Sequence, residues 1–192
     1  MADSKNVQGM TNTAQPGPET AEDRLRSIGL ELPPPPVPNG SYTPFVQVDS
    51  QIYIAGQTCL LDGVLQYEGT VGVDLTLEQA KLAAQLCALN ALATLKEACG
   101  GDLASVRAVK MTGFIRCDAS YGDQPKVLDG ASDILRLALG DRGAHVRAAI
   151  GTNSLPRRAP VEIETVFQVL VREGASKGPA TASADAGEGR RR

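Results

Sequence analysis

The chain has 192 residues, 42% of them hydrophobic, and a formal net charge of −3. That much apolar side chain builds one core of ordinary domain size and strains to build two. The acidic balance excludes a strong pull toward nucleic-acid phosphate, because no face-sized run of Lys or Arg precedes Arg190, Arg191 and Arg192.

The opening "MADSKNVQGMTNTAQPG" contains no apolar signal core, and the chain has no run of about 18 apolar residues. A cytoplasmic protein with no membrane partner is expected. Residues 1–19 and 173–192 are rich in Gly, Ala, Ser, Thr and Pro, too poor in large apolar groups to offset ordering entropy, and read as disordered tails. Between them lies one expected domain, 20–172, whose first part, 20–44, is a helix and a proline strap. In "TAEDRLRSIGL", Thr20 caps an acidic first turn and Gly29 ends a short helix over about 21–28. "ELPPPPVPNGSYTP" must be extended, since each proline fixes its own φ and restricts the residue before it. A stiff lead-in to the domain is favoured over a ligand for an SH3 or WW domain.

Phe45 to Val48 and Gln51 to Ala55 are β-rich runs separated by Asp49-Ser50, a predicted hairpin, and Asp62-Gly63 signals a second turn. From Thr76 to Cys99 the period becomes helical, with Leu82, Leu86, Leu89 and Ala93 as the expected apolar stripe, Thr76 and Gln79 as a capping box, and Gly100-Gly101 as the stop. "VRAVKMTGFIRC" reads as a strand. "DQPKVLDGASDILRLALG" reads as a second helix, with Leu128, Ala131, Leu135 and Ala138 facing the core and Gly130 costing about 1 kcal/mol against alanine. "AHVRAAIG" and "PVEIETVFQVLV" close the domain as strands. This order predicts an α+β fold, a mixed β-sheet with two helices packed on one face.

Four cysteines, at 59, 87, 99 and 117, form no Cys-x-x-Cys pair, and His145 is the single histidine, so no metal site is expected and the thiols read as reduced packing groups. Strand alternation puts His145, Arg147, Ala149 and Gly151 on one face and Val146, Ala148 and Ile150 on the other, the second set being expected to face the core. The same rule puts Glu162 and Glu164 together. Paired carboxylates on a strand commonly mark only a solvated sheet face. An arginine nearby would make them a site, one group holding a ligand carboxylate and the other moving a proton, with Arg147, Arg157 and Arg158 as candidates and His145 as a possible acid or base. No GxSxG, Walker, HExxH or GxGxxG motif stands in a strand-turn-helix context.

"PFVQV...IYIAGQ", "EQAKLAAQLCALNALATLKEACG", "VRAVKMTGFIR" and "SLPRRAPVEIETVFQV" together resemble, in order and spacing over about residues 40–171, the RidA/YjgF family. The strongest pieces are Gly56-Gln57 and the Leu155-to-Glu164 ending. The resemblance implies a chorismate mutase-like fold closing into a homotrimer around a central barrel-like core, with ligand pockets at the subunit interfaces and no cofactor. It implies hydrolysis of reactive enamines or imines to keto acids and ammonia. The deaminating members carry an arginine directly before Leu-Pro, where this chain has Ser154. Their tyrosine after the first-strand proline is Phe45 here, and their serine before Gly-Gln is Ala55. By the same resemblance Glu164 matches the water-positioning glutamate and Arg147 the upstream strand arginine, with Gly56, Gln57, Phe45 and Ser154 around the substrate. The longer "GASDILRLALGDRGAHVRAAIG" segment is similar to a divergent branch named endoribonuclease L-PSP or chorismate mutase-like, in which His145 and Arg147 would take over anion binding. Two functions follow as expectations: a hydrolase or deaminase for a small carboxylate-bearing molecule, or a non-catalytic binding or sensing protein of the same fold.

Overall fold

The computed structural model describes residues 19–170, and the two expected tails fall almost wholly outside them. Helix α1 spans Ala21–Arg26, strands β1 to β4 span Phe45–Val48, Gln51–Thr58, Leu60–Leu61 and Val64–Leu65, and helix α2 spans Leu77–Ala98. Strand β5 (Val106–Arg116), helix α3 (Gln124–Leu139), strand β6 (Val146–Thr152) and strand β7 (Val161–Val169) complete the order. The main sheet runs β1-β2-β7-β5-β6, all neighbours antiparallel except β5 and β6. The parallel pair needs a crossover connection, and α3 supplies it.

Local chemistry explains the boundaries. Thr76 Oγ1 accepts from the Gln79 amide at 3.2 Å while Gln79 Oε1 accepts from the Thr76 amide at 2.9 Å, closing the expected capping box of α2. Asp62 and Gly63 both sit at positive φ, the geometry that joins β3 to β4 in a two-residue hairpin.

The core lies between one sheet face and the helices. Ile52, Ile54, Met111, Ile115, Val161, Ile163 and Phe167 face α2 and α3. The α3 stripe of Leu128, Ala131, Leu135 and Ala138 is buried as expected. The α2 stripe is half as expected: Leu89 and Ala93 are buried and Leu86 is partly buried, but Leu82 is 49% exposed, and Ala80, Ala84, Cys87, Ala88 and Ala91 are fully buried. Small side chains let a helix lie close on a sheet, so the alanines face inward and the leucine outward. Gly130 belongs to the same close packing, because a side chain there would overlap the backbone carbonyl of Lys81 on α2. The four cysteines are free thiols, three of them buried.

Strand β6 reverses the expected faces. Its register sets Arg147 opposite the buried Met111, so Arg147 points to the helix side, and Val146, Ala148 and Ile150 are exposed on the open face. The reason is the edge position of β6: helix cover thins there, and a long guanidinium reaches the flank of α3 while small and apolar groups are left on the open face.

Candidate functional site

The β2–β7 ladder carries an irregularity between Ile54 and Gln57. Ala55 and Gly56 together face the single residue Glu164 there, one extra residue on β2, a bulge that re-aims side chains next to the strand it disrupts. Below the bulge, Thr58 pairs with Glu162. The Glu162 carboxylate folds over Gly56 so closely that a Cβ at position 56 would overlap its Oε1. Glycine at 56 leaves room for this approach, and any larger residue would make the carboxylate tip swing aside, which gives the Gly-Gln signature a physical meaning.

Glu162 is half-buried, and burial, followed by repulsion from Glu164, raises its pKa above the ordinary carboxylate value. It lines a cavity of about 310 Å³ together with the strap residues Pro36, Val37, Pro38 and Tyr42, the bulge residues Ala55, Gly56 and Gln57, and Arg157. Gln57 is 6% exposed and donates from Nε2 to the Ala55 carbonyl at 3.1 Å, which stiffens the bulge. Asn90 of α2 donates to the Thr58 and Leu60 carbonyls at 3.0 and 2.8 Å and so anchors the end of β2. Glu162 and Asn90 carry this geometry. Neither was singled out by the sequence, although the paired-glutamate pattern contained Glu162.

A second cavity, of about 320 Å³, lies on the other side of Ala55 and contains Glu164, Phe45, Tyr53 and Thr165. Glu164 is exposed there, opposite Thr112 of β5. Phe45 packs partly against the core. Ser154 lines neither cavity, and its carbonyl accepts from Thr152 Oγ1 at 3.2 Å.

The structure does not bring His145 and Arg147 to the two glutamates. Arg147 donates to Ser132 Oγ at 2.9 Å, to the Pro125 carbonyl at 3.1 Å and to Asp129 Oδ1 at 2.8 Å, all on α3. His145 Nδ1 lies 2.7 Å from the Gly143 carbonyl, which can only accept, so Nδ1 carries the proton. Nε2 is then the acceptor for the Ser132 hydroxyl at 3.2 Å. Burial lowers the His145 pKa, against the Gly143 hydrogen bond and with help from Arg147 and Arg136. Within one chain, the shared face of His145 and Arg147 is the helix face, not the face that carries Glu162 and Glu164.

Arg157 and Arg158 diverge. Both hold left-handed backbone, φ 56° and 62°, at a cost of about 1–2 kcal/mol each for residues with a Cβ. Arg158 pairs with Glu68 at 2.8 Å, away from the cavity, whereas Arg157 lines it.

Residues 22–166 match the family described as "YjgF/chorismate mutase-like, putative endoribonuclease". Protein TCP17 of Trypanosoma cruzi is 32% identical over 147 residues, covering 76% of this chain and 91% of the relative. The crystal structure of Atu1372 from Agrobacterium tumefaciens is 37% identical with a TM-score of 0.74, covering 79% of this chain and 93% of that one. RidA from an Antarctic Psychrobacter is 28% identical with a TM-score of 0.51, covering 70% and 94%. With three-quarters of its length matched and the mixed sheet and helix layer in place, the chain belongs to the YjgF/chorismate mutase-like family.

Proposed function

We propose that this protein hydrolyses a small enamine or imine that bears a carboxylate, releasing a keto acid and ammonia. The observation that carries the reading is the half-buried Glu162 carboxylate folded over Gly56 in the strap-lined cavity, its pKa raised by burial and by Glu164. A carboxylate with a raised pKa is a stronger base, able to take a proton from water and return it. An enamine first takes a proton at its β-carbon and gives one up from nitrogen, becoming the imine. Water then adds to the C=N carbon, Glu162 accepts the water proton and passes it to nitrogen, and the carbinolamine transfers its hydroxyl proton to the amine and collapses to C=O with loss of ammonia. Glu164 contributes negative field, and the reaction class is the one that the resemblance to the RidA/YjgF family implies.

Apolar residues exposed on the open sheet face, Val46, Tyr53, Val146 and Ile150, support assembly into the homotrimer that the family resemblance implies. A net charge of −3 argues against a polyanionic substrate such as RNA.

The test is ammonia release from enzymatically generated 2-aminoacrylate by wild type, Glu162→Gln and Glu164→Gln. General-base loss predicts a fall of about 10²–10⁴-fold in Glu162→Gln and a smaller one in Glu164→Gln. A wild type no faster than buffer, or a fully active Glu162→Gln, overturns the proposal. A second reading, binding without turnover, is favoured by Phe45 and Ala55, which put apolar surface in the Glu164 cavity.

A further inference from the structure

We infer that Arg157 is the residue that reads the anionic group of the ligand, and that the proline strap beside it limits that ligand to a compact monoanion with a short apolar arm. The inference rests on the proposed use of the Glu162 cavity.

Three observations converge. Arg157 is the one guanidinium lining the cavity that holds Glu162. Among the described residues it forms no ion pair, and its single hydrogen bond, from Nη1 to the Gly63 carbonyl, is a long 3.4 Å. Most of its fork of donors is thus left for a planar anion, which a guanidinium binds through two parallel hydrogen bonds. The other arginines near the ending are committed elsewhere: Arg158 to Glu68, and Arg147 to Asp129, Ser132 and the Pro125 carbonyl.

The backbone at Arg157 points the same way. A left-handed φ of 56° at a residue with a Cβ persists only where the surroundings hold it, and such residues cluster at binding sites. Pro156 before it and Ala159 after it, the latter fully buried, clamp the turn. The turn therefore presents Arg157 to the cavity while sending Arg158 outward.

Size and polarity follow from the walls. Pro36, Val37, Pro38 and Leu60 give apolar contact, and about 310 Å³ admits only a small molecule. With Arg157 and Glu162 both lining the cavity, the anion sits against Arg157 and the reacting carbon against Glu162. A cationic ligand would gain nothing at Arg157 and is disfavoured.

The experiment uses the full chain and three probes of equal length: butyrate, butyramide and butylamine. Amide shifts of Gly56 and Gln57 are followed by NMR in wild type, Arg157→Gln, Arg157→Gly and Arg158→Gln. Butyrate is expected to shift both amides saturably and to bind at least 10-fold tighter than butyramide, the loss associated with one charged hydrogen bond. Arg157→Gln should bring butyrate to the butyramide level, and Arg158→Gln should leave it unchanged. Arg157→Gly relieves the backbone strain, so a weakened butyrate response there reports the missing guanidinium and not misfolding. Wild-type amides that do not respond to butyrate, equal binding of butyrate and butyramide, or unchanged binding in Arg157→Gln each overturn the inference. The two proposals fail separately. Turnover lost in Glu162→Gln but unchanged in Arg157→Gln removes only this one, and Arg157-dependent butyrate binding in a chain that turns nothing over removes only the hydrolase reading.

Discussion

The carboxylate of Glu162 occupies the space that a side chain at position 56 would need. A bulge with one extra residue on β2 brings these groups together, and the bulge exists only in the paired strands.

Gly56→Ala must swing the Glu162 carboxylate away from position 56. Because the displaced atoms end a flexible side chain, the cost is about 1 kcal/mol, the low end of overpacking. For a chain of this size that is a melting temperature lower by roughly 2–4 °C. Thermal unfolding checks the cost, and loss of ammonia release checks the displacement. A variant that melts like wild type and keeps full activity would show that Glu162 does not sit over Gly56.

Glu162 sets a pH dependence whose sign is fixed. A carboxyl with a raised folded pKa binds its proton more tightly when folded, so stability is highest below the unfolded value near 4.5 and falls as pH rises through the folded pKa. Glu162→Gln should therefore melt higher than wild type at pH 7 and alike at pH 4. Glu164→Gln removes the second cause of the shift and should move the acidic, ascending limb of activity to lower pH, because Glu162 acts as a base only once ionised. Melting curves at the two pH values and a pH–rate profile decide both.

His145 predicts the opposite slope. Its folded pKa is lowered from 6.5, so the stability it contributes is present above that value and is lost as pH falls through the folded pKa. Protonating Nε2 would also end the hydrogen bond from Ser132. An imidazole NMR titration with a midpoint at or above 6.5 would contradict this. Ser132→Ala should cost about 1–2 kcal/mol by leaving Nε2 and one Arg147 donor unsatisfied, measured by chemical denaturation.

Gly130→Ala should destabilise the protein although alanine is the better helix former by about 1 kcal/mol. The added methyl would overlap the Lys81 carbonyl and force α2 and α3 apart. A stabilised variant in denaturant titration would mean the helices are not in contact there.

Much of the fold was readable because its causes are local. The Thr76–Gln79 box, the Asp62-Gly63 turn and the periodic apolar residues of α3 act within a few positions, and each element formed where those signals lie. In α2 the expected stripe holds at Leu89 and Ala93 and fails at Leu82, where the close approach is made by Ala80, Ala83 and Ala84 and the leucine is left outside.

The site was only half readable. The sequence by itself determined that two carboxylates share one face of β7, that glycine precedes Gln57, and that two arginines follow Leu-Pro, since alternation and order are properties of the chain. Tertiary structure decided which of them meet. The bulge selects Glu162 for Gly56, the turn after Pro156 splits Arg157 from Arg158, and the β5–β6 register sends Arg147 to α3. Register is a long-range choice in which a slip of one residue exchanges every side chain between faces, so no reading of β6 alone could have placed Arg147.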